Sequence, residues 1–189
     1  MAPWARAVHW PSFVPGALCG AVLGWGVQQL PYANWVEVMA PLEHQPLVIR
    51  HDAKGDGRFG APRSGHRSHR GVDIEAALGS PVRAIRSGRV IAVGTHRGLG
   101  RYLELEHHGD IQSLYAHLDT MAVDVGDRVR QGQVIATVGK TGNARNPLIK
   151  PHLHLEVTQA GRPLDPSTMG LALLGPVGEP EGSEADGGE

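Results

Sequence analysis

The chain has 189 residues, room for one ordinary domain with short extensions, and its 41% hydrophobic and 20% charged content excludes an intrinsically disordered chain. A single cysteine, Cys19, excludes an internal disulfide and any cysteine-based zinc site. The formal net charge of -1 hides an asymmetry: Arg50 to Arg101 holds eleven Lys/Arg against four Asp/Glu, while every charged residue after Gly170 is an acid.

In chain order, no charged residue falls between Arg6 and Glu37, and Phe13 to Val27 is almost wholly apolar. Fifteen residues is short of the roughly 20 that span a bilayer. With its flanks, residues 1–30 read as an N-terminal membrane anchor or signal segment, and the absence of a small-x-small site after the apolar run favours the anchor. The protein is therefore expected to be exported, in the periplasm or cell envelope, held at the inner membrane. Residues 31–50 read as a linker with one short strand.

From 51 to 168 the pattern is strands and turns, as the 26 glycines, 14 prolines and 5% aromatic content suggest. Pro81–Ile85 and Gly88–Gly94 are short β-branched runs bounded by Gly and Ser. Tyr102–His107 and Ile111–Leu118 flank His108-Gly109-Asp110, a hairpin-like turn. Gln133–Gly139 and His152–Thr158 complete the set. Nothing here keeps a helical period. Residues 169–189 read as a disordered acidic tail.

Eleven histidines is a high count, and two of their motifs carry chemistry. His69-Arg70-Gly71-Val72-Asp73 is a His-x-x-x-Asp. His152-Leu153-His154 is a His-x-His on an alternating strand, where residues i and i+2 project to one face. His152 and His154 then point together, while Leu153 and Leu155 enter the core. Catalytic zinc takes three protein ligands and keeps one position open. His69, Asp73 and one of His152 or His154 supply such a set, with His66 as the nearest substitute. His117, in Tyr115-Ala116-His117-Leu118, is a further histidine on a polar strand face.

Taken together, FGAPR (59–63), HRGVDI (69–74), LYAHL (114–118), VGKTGNA (138–144) and PHLHLEV (151–157) resemble the lysostaphin-type, or LytM-like, zinc endopeptidases. The resemblance implies a mostly β, antiparallel two-sheet fold of the duplicated-hybrid-motif kind, with a metal groove. It implies Zn2+ held by His69, Asp73 and His154, with His117 and His152 as the catalytic pair. The implied activity is hydrolysis of peptide cross-links in bacterial peptidoglycan, with D-alanyl-diaminopimelyl bonds as the leading candidate. The implied partners are peptidoglycan peptide stems and cell-wall or membrane-associated regulatory proteins. One departure stands out: residues 143–151 (NARNPLIKP) make a long approach to His152 where many members have a short one.

Three rival readings fit parts of the sequence. A non-catalytic LytM-like regulator of other cell-wall hydrolases would be favoured by a lost ligand, and none of the five positions is lost. The run VGDRVRQGQVIATVG resembles a biotinyl or lipoyl hairpin, but its nearest lysine, Lys140, lies beyond the strand. A nucleic-acid binder would suit the basic half, yet stacking aromatics are scarce, so no nucleic-acid partner is expected.

Overall fold

The computed structural model describes residue 34 and residues 36–175. The chain divides into Met1–Pro31 and Tyr32–Glu189. The expected anchor and most of the acidic tail lie outside the described residues. Among the described residues, no helix is long and apolar enough to cross a membrane.

Short ladders come first: β1 (Leu47–Val48), β2 (His51–Asp52), β3 (Gly55–Asp56), β4 (Pro62–Arg63) and β5 (Arg67–Ser68). The longer strands follow: β6 (Gly71–Glu75), β7 (Pro81–Arg83), β8 (Gly88–His96), β9 (Gly100–His107) and β10 (Ile111–Met121). The last are β11 (Arg128–Val129), β12 (Val134–Val138), β13 (His152–Gln159), β14 (Arg162–Leu164) and β15 (Leu173–Leu174). Strands β6 to β14 form one antiparallel network in the order β11-β8-β9-β10-β12-β7, with β13 joining β10, β14 and β6. The mostly β, antiparallel architecture is therefore present. The β9–β10 hairpin turns at 108–110, with Gly109 and Asp110 at φ 86° and 56°, as a tight turn requires.

The long strand β10 links two arms of the network. One of its edges pairs with β13 from Ile111 to Ala116, then with β12 from Leu118 onwards. The change falls at His117, whose φ is 61°, an uncommon backbone for a residue with a Cβ. Its amide donates to the Leu99 carbonyl and its carbonyl accepts from the Gly139 amide, so both backbone groups of His117 are paired at the kink. Register also shifts on both edges here.

Period-2 alternation sets the core. On β13, Leu153, Leu155 and Val157 are fully buried, as are Leu103 and Leu105 of β9. On β6, Val72 and Ile74 face the same core and Asp73 takes the other face. Gly71 is needed for close approach, because a Cβ there would lie 2.3 Å from the Leu155 carbonyl oxygen. Gly71→Ala should push β6 away from β13 and cost about 1–3 kcal/mol, read as a lowered denaturant midpoint.

The segment expected as a linker is largely part of the domain. Leu42, Leu47 and Ile49 are buried, and β1 pairs in parallel with β15. The expected tail begins too early for the same reason: Met169 and Leu171 are buried. Two-residue pairings carry no detectable periodicity, so the apolar residues of 42–49 read as linker in a sequence rich in proline. Each such core side chain is worth about 2–5 kcal/mol when truncated. A protein starting at residue 34 should fold cooperatively. One starting at residue 50 should not, and circular dichroism melts of the two would show it.

A buried polar chain lies away from the groove. His107 Nδ1 lies 3.0 Å from the Ser87 carbonyl, and Nε2 lies 2.7 Å from Ser113 Oγ. Burial lowers the pKa of His107 to about 4, helped by the nearby Arg86 charge, against the Ser87 hydrogen bond. The unfolded chain then binds a proton below the ordinary value of 6.5 that the folded one refuses, so stability falls with pH between 6.5 and about 4. The slope is about 1.4 kcal/mol per pH unit. Between pH 7 and pH 5 the wild type should lose about 2 kcal/mol more than His107→Gln, in parallel urea titrations.

Candidate metal centre

Cross-strand pairing builds the site. His154 of β13 lies directly opposite Asp73 of β6 on one side and Ala116 of β10 on the other, and His152 lies opposite Glu75. His69 reaches the same point from the turn before β6. His117 arrives from the kink of β10. His152 and His154 share the face of β13 opposite the buried leucines, as alternation requires.

His69 Nε2, Asp73 Oδ1 and His154 Nδ1 form a triangle with sides of 3.1, 2.7 and 3.3 Å. Among the described residues, these three form the one cluster whose ligand atoms all fall within 4.8 Å. Atoms bound 2.0–2.1 Å from a tetrahedral ion lie about 3.3 Å apart, so the triangle has the size zinc takes. The donor set, two imidazoles and a carboxylate, suits zinc as well. His66, the substitute, sits exposed in the turn between β4 and β5 and is not in the cluster.

Each of the four histidines has one ring nitrogen tied to an oxygen. His69 Nδ1 is 2.8 Å from the Arg58 carbonyl, His117 Nδ1 is 2.9 Å from that of Thr141, and His152 Nδ1 is 2.7 Å from that of Lys150. A carbonyl only accepts, so each Nδ1 carries a hydrogen, and in the neutral ring Nε2 is left with a lone pair. His154 is reversed: its Nε2 is 3.1 Å from Glu156 Oε1, leaving Nδ1 towards Asp73. Such partners fix tautomer and ring orientation around a metal. His152 Nε2 stands 3.8 Å from Asp73 Oδ1, and the His117 and His152 rings meet edge to face at 4.8 Å.

The electrostatics separate the roles. Burial pushes the Asp73 carboxyl up, but hydrogen bonds from His154 and His69, then the charges of His154 and His152, hold it well below the usual range. Burial lowers His154, yet Asp73 and Glu156 outweigh it and raise its pKa to about 9. An ion at Nδ1 would therefore replace a proton. Burial lowers His117 to about 3, with electrostatic interaction with the neighbouring His152 and His154 adding to it. Burial also lowers His152, against Asp73 and the Lys150 carbonyl. Carboxylates raise His154, whereas burial holds His117 and His152 neutral.

Four supporting residues escaped the sequence reading. Arg50 Nη2 and Arg63 Nη2 hold Asp73 Oδ2 at 2.9 and 3.3 Å. Glu156 orients His154, and the Thr141 carbonyl orients His117. Glu156 had a signal, since it continues the i, i+2 face of His152 and His154. Arg63 had one too, as the last residue of the FGAPR motif (59–63), whereas Arg50 had none beyond a general excess of arginine.

The centre lies in a groove of about 670 Å³. The β4–β5 hairpin forms one wall, with Arg63 and Arg67. Asn143, Ala144 and Ile149, from the long approach to His152, contribute to another. Its first turn, Gly142–Arg145, is a short 3-10 helix that buries Ala144.

Comparison with known proteins bears on this arrangement. The family model described as "Peptidase family M23" matches residues 67–166. A peptidoglycan DD-endopeptidase of Vibrio cholerae, ShyB, is 41% identical over 105 residues, covering 56% of this chain and 24% of that protein. A murein hydrolase activator of Salmonella typhimurium, NlpD, is 36% identical over 116 residues, covering 61% of this chain and 29% of that protein. The crystal structure of a zinc-containing peptidase from Vibrio cholerae superposes with a TM-score of 0.52 at 35% identity, covering 61% of this chain and 35% of that one. The chain thus spans about a quarter of the length of the curated relatives it matches.

Proposed function

The chain belongs to peptidase family M23, and we propose that it is a zinc endopeptidase that hydrolyses peptide cross-links of bacterial peptidoglycan. The observation that carries the reading is the division of the histidines. His69 and His154 each turn the ring nitrogen not tied to Arg58 or Glu156 onto Asp73 Oδ1, while His117 and His152 stand beside that triangle, held neutral by burial, each with an unprotonated Nε2.

His69, Asp73 and His154 would hold the ion, which when bound supplies a Lewis acid for the scissile carbonyl and lowers the pKa of a water. His117 and His152 act on protons. Either Nε2 can accept the proton of the attacking water and deliver it to the leaving amine. Once protonated, that Nε2–H donates to the developing oxyanion. Their carbonyl partners keep both Nδ1 hydrogens in place, so neither ring must change tautomer during turnover. Burial favours returning the proton, because the charged imidazole is disfavoured there.

The groove and the relatives support this substrate. The groove carries Lys54, Arg67 and Arg70 among its lining, which suits the carboxylates of peptide stems. Similarity to a peptidoglycan DD-endopeptidase supports the D-alanyl-diaminopimelyl bond. A cell-envelope location accords with these relatives, and anchorage by residues 1–30 is part of the proposal.

A second reading, a non-enzymatic activator of other murein hydrolases, is favoured by the 36% identity to NlpD. Purified sacculi separate the two. The proposal expects solubilisation by this protein alone, with release of uncross-linked muropeptides blocked by EDTA. Solubilisation only after adding a separate hydrolase, and unaffected by His152→Ala, would establish the activator.

A further inference from the structure

We propose that Arg50 is a positioning residue for the metal centre, fixing Asp73 as a ligand and linking it through Asp52 to the segment that carries His152. The inference rests on the zinc reading above and extends it to residues outside the ligand set.

Arg50 is buried, with its side chain 5% exposed. Its Nη2 donates to Asp73 Oδ2 at 2.9 Å and its Nη1 to Asp52 Oδ2 at 2.6 Å. That same Asp52 oxygen accepts from the Lys150 amide at 2.9 Å, and the Lys150 carbonyl takes the Nδ1 hydrogen of His152 at 2.7 Å. One hydrogen-bonded path therefore runs from Asp73 through Arg50, Asp52 and Lys150 to His152. The backbone reinforces its first step, since the Arg50 amide donates to the Asp73 carbonyl at 2.8 Å.

The path does something the ligands cannot do alone. The carboxylate torsion of aspartate is broad and roughly two-fold, so Asp73 left to itself could turn either oxygen inward. Arg50 holds Oδ2 from behind, leaving Oδ1 for His69 and His154. Arg63 helps from 3.3 Å, but its side chain is 26% exposed and so is the weaker clamp. A buried Asp–Arg–Asp group contributes little net stability compared with apolar packing. Its placement behind a ligand and behind the carbonyl that orients His152 is what it supplies. At the sequence level Arg50 marked only the start of the domain.

The test uses the full chain, with zinc affinity measured by chelator competition, turnover measured on cross-linked muropeptide dimers, and near-UV circular dichroism to confirm a native fold. Arg50→Met should weaken zinc binding by about 10–100-fold, with Arg50→Lys recovering most of it. Asp52→Asn should keep zinc affinity within a few-fold and lower kcat by about 10-fold or more with KM little changed. A folded Arg50→Met with wild-type zinc affinity overturns the assignment. Should that variant fail to fold, Asp52→Asn decides: reduced kcat at full zinc loading supports the path, and wild-type kcat overturns it. A wild type that takes up no zinc instead overturns the functional reading itself.

Discussion

His152→Ala is expected to retain its zinc and to lose hydrolysis by about 10²–10⁴-fold, the usual worth of a positioned general acid or base. Its Nε2 lies 3.8 Å from Asp73 Oδ1, outside the triangle of 2.7–3.3 Å that the proposed ligands form. Removing it leaves His69, Asp73 and His154 with all of their orienting partners. The loss should fall on kcat with KM little changed, because the ring is proposed to act on a proton rather than to hold substrate. His117→Ala should behave alike, and the double variant should lose less than the product of the two, as residues acting as a unit do. If His152→Ala emerges without metal while His154→Ala keeps it, their two roles must be exchanged.

Asp73→Ala is expected to lose both metal and stability. Its carboxylate is the one anionic member of the ligand triangle, and it also neutralises Arg50 and Arg63. Without it Arg50 keeps, among the described residues, only Asp52 as an ion-pair partner, and breaking such a buried pair costs about 3–5 kcal/mol. Elemental analysis should find no zinc, and the denaturant midpoint at pH 7 should fall sharply. His154→Ala should lose zinc as completely with a smaller loss of stability, since it frees no buried arginine. An Asp73→Ala protein with full zinc occupancy and a wild-type midpoint would contradict both parts.

Much of the site was legible because strand alternation is rigid. His152 and His154 must share a face once Leu153 and Leu155 are committed to the core, and both leucines are fully buried. The long strands around them were legible for the same reason. The His-x-x-x-Asp spacing placed His69 and Asp73 near each other, but it did not show that Asp73 stands on β6, paired directly with His154. What escaped depends on contacts distant in sequence. Arg50 meets Asp73 across 23 positions, and the Lys150 amide meets Asp52 across 98. The parallel β1–β15 pair joins residues 47–48 to 173–174, and two residues show no period. His117 was noticed as a strand histidine, but its left-handed backbone at the change of partner from β13 to β12 comes from packing alone.

The most direct test of zinc-dependent cleavage of wall cross-links is incubation of the zinc-loaded protein with purified cross-linked muropeptide dimers, read by mass spectrometry. The account predicts conversion of dimers to monomers by addition of water at the cross-linking peptide bond, abolished by EDTA, restored by added zinc and absent in His152→Ala. Dimers left intact by a fully zinc-loaded, folded protein, or shortened glycans in place of monomers, would contradict it.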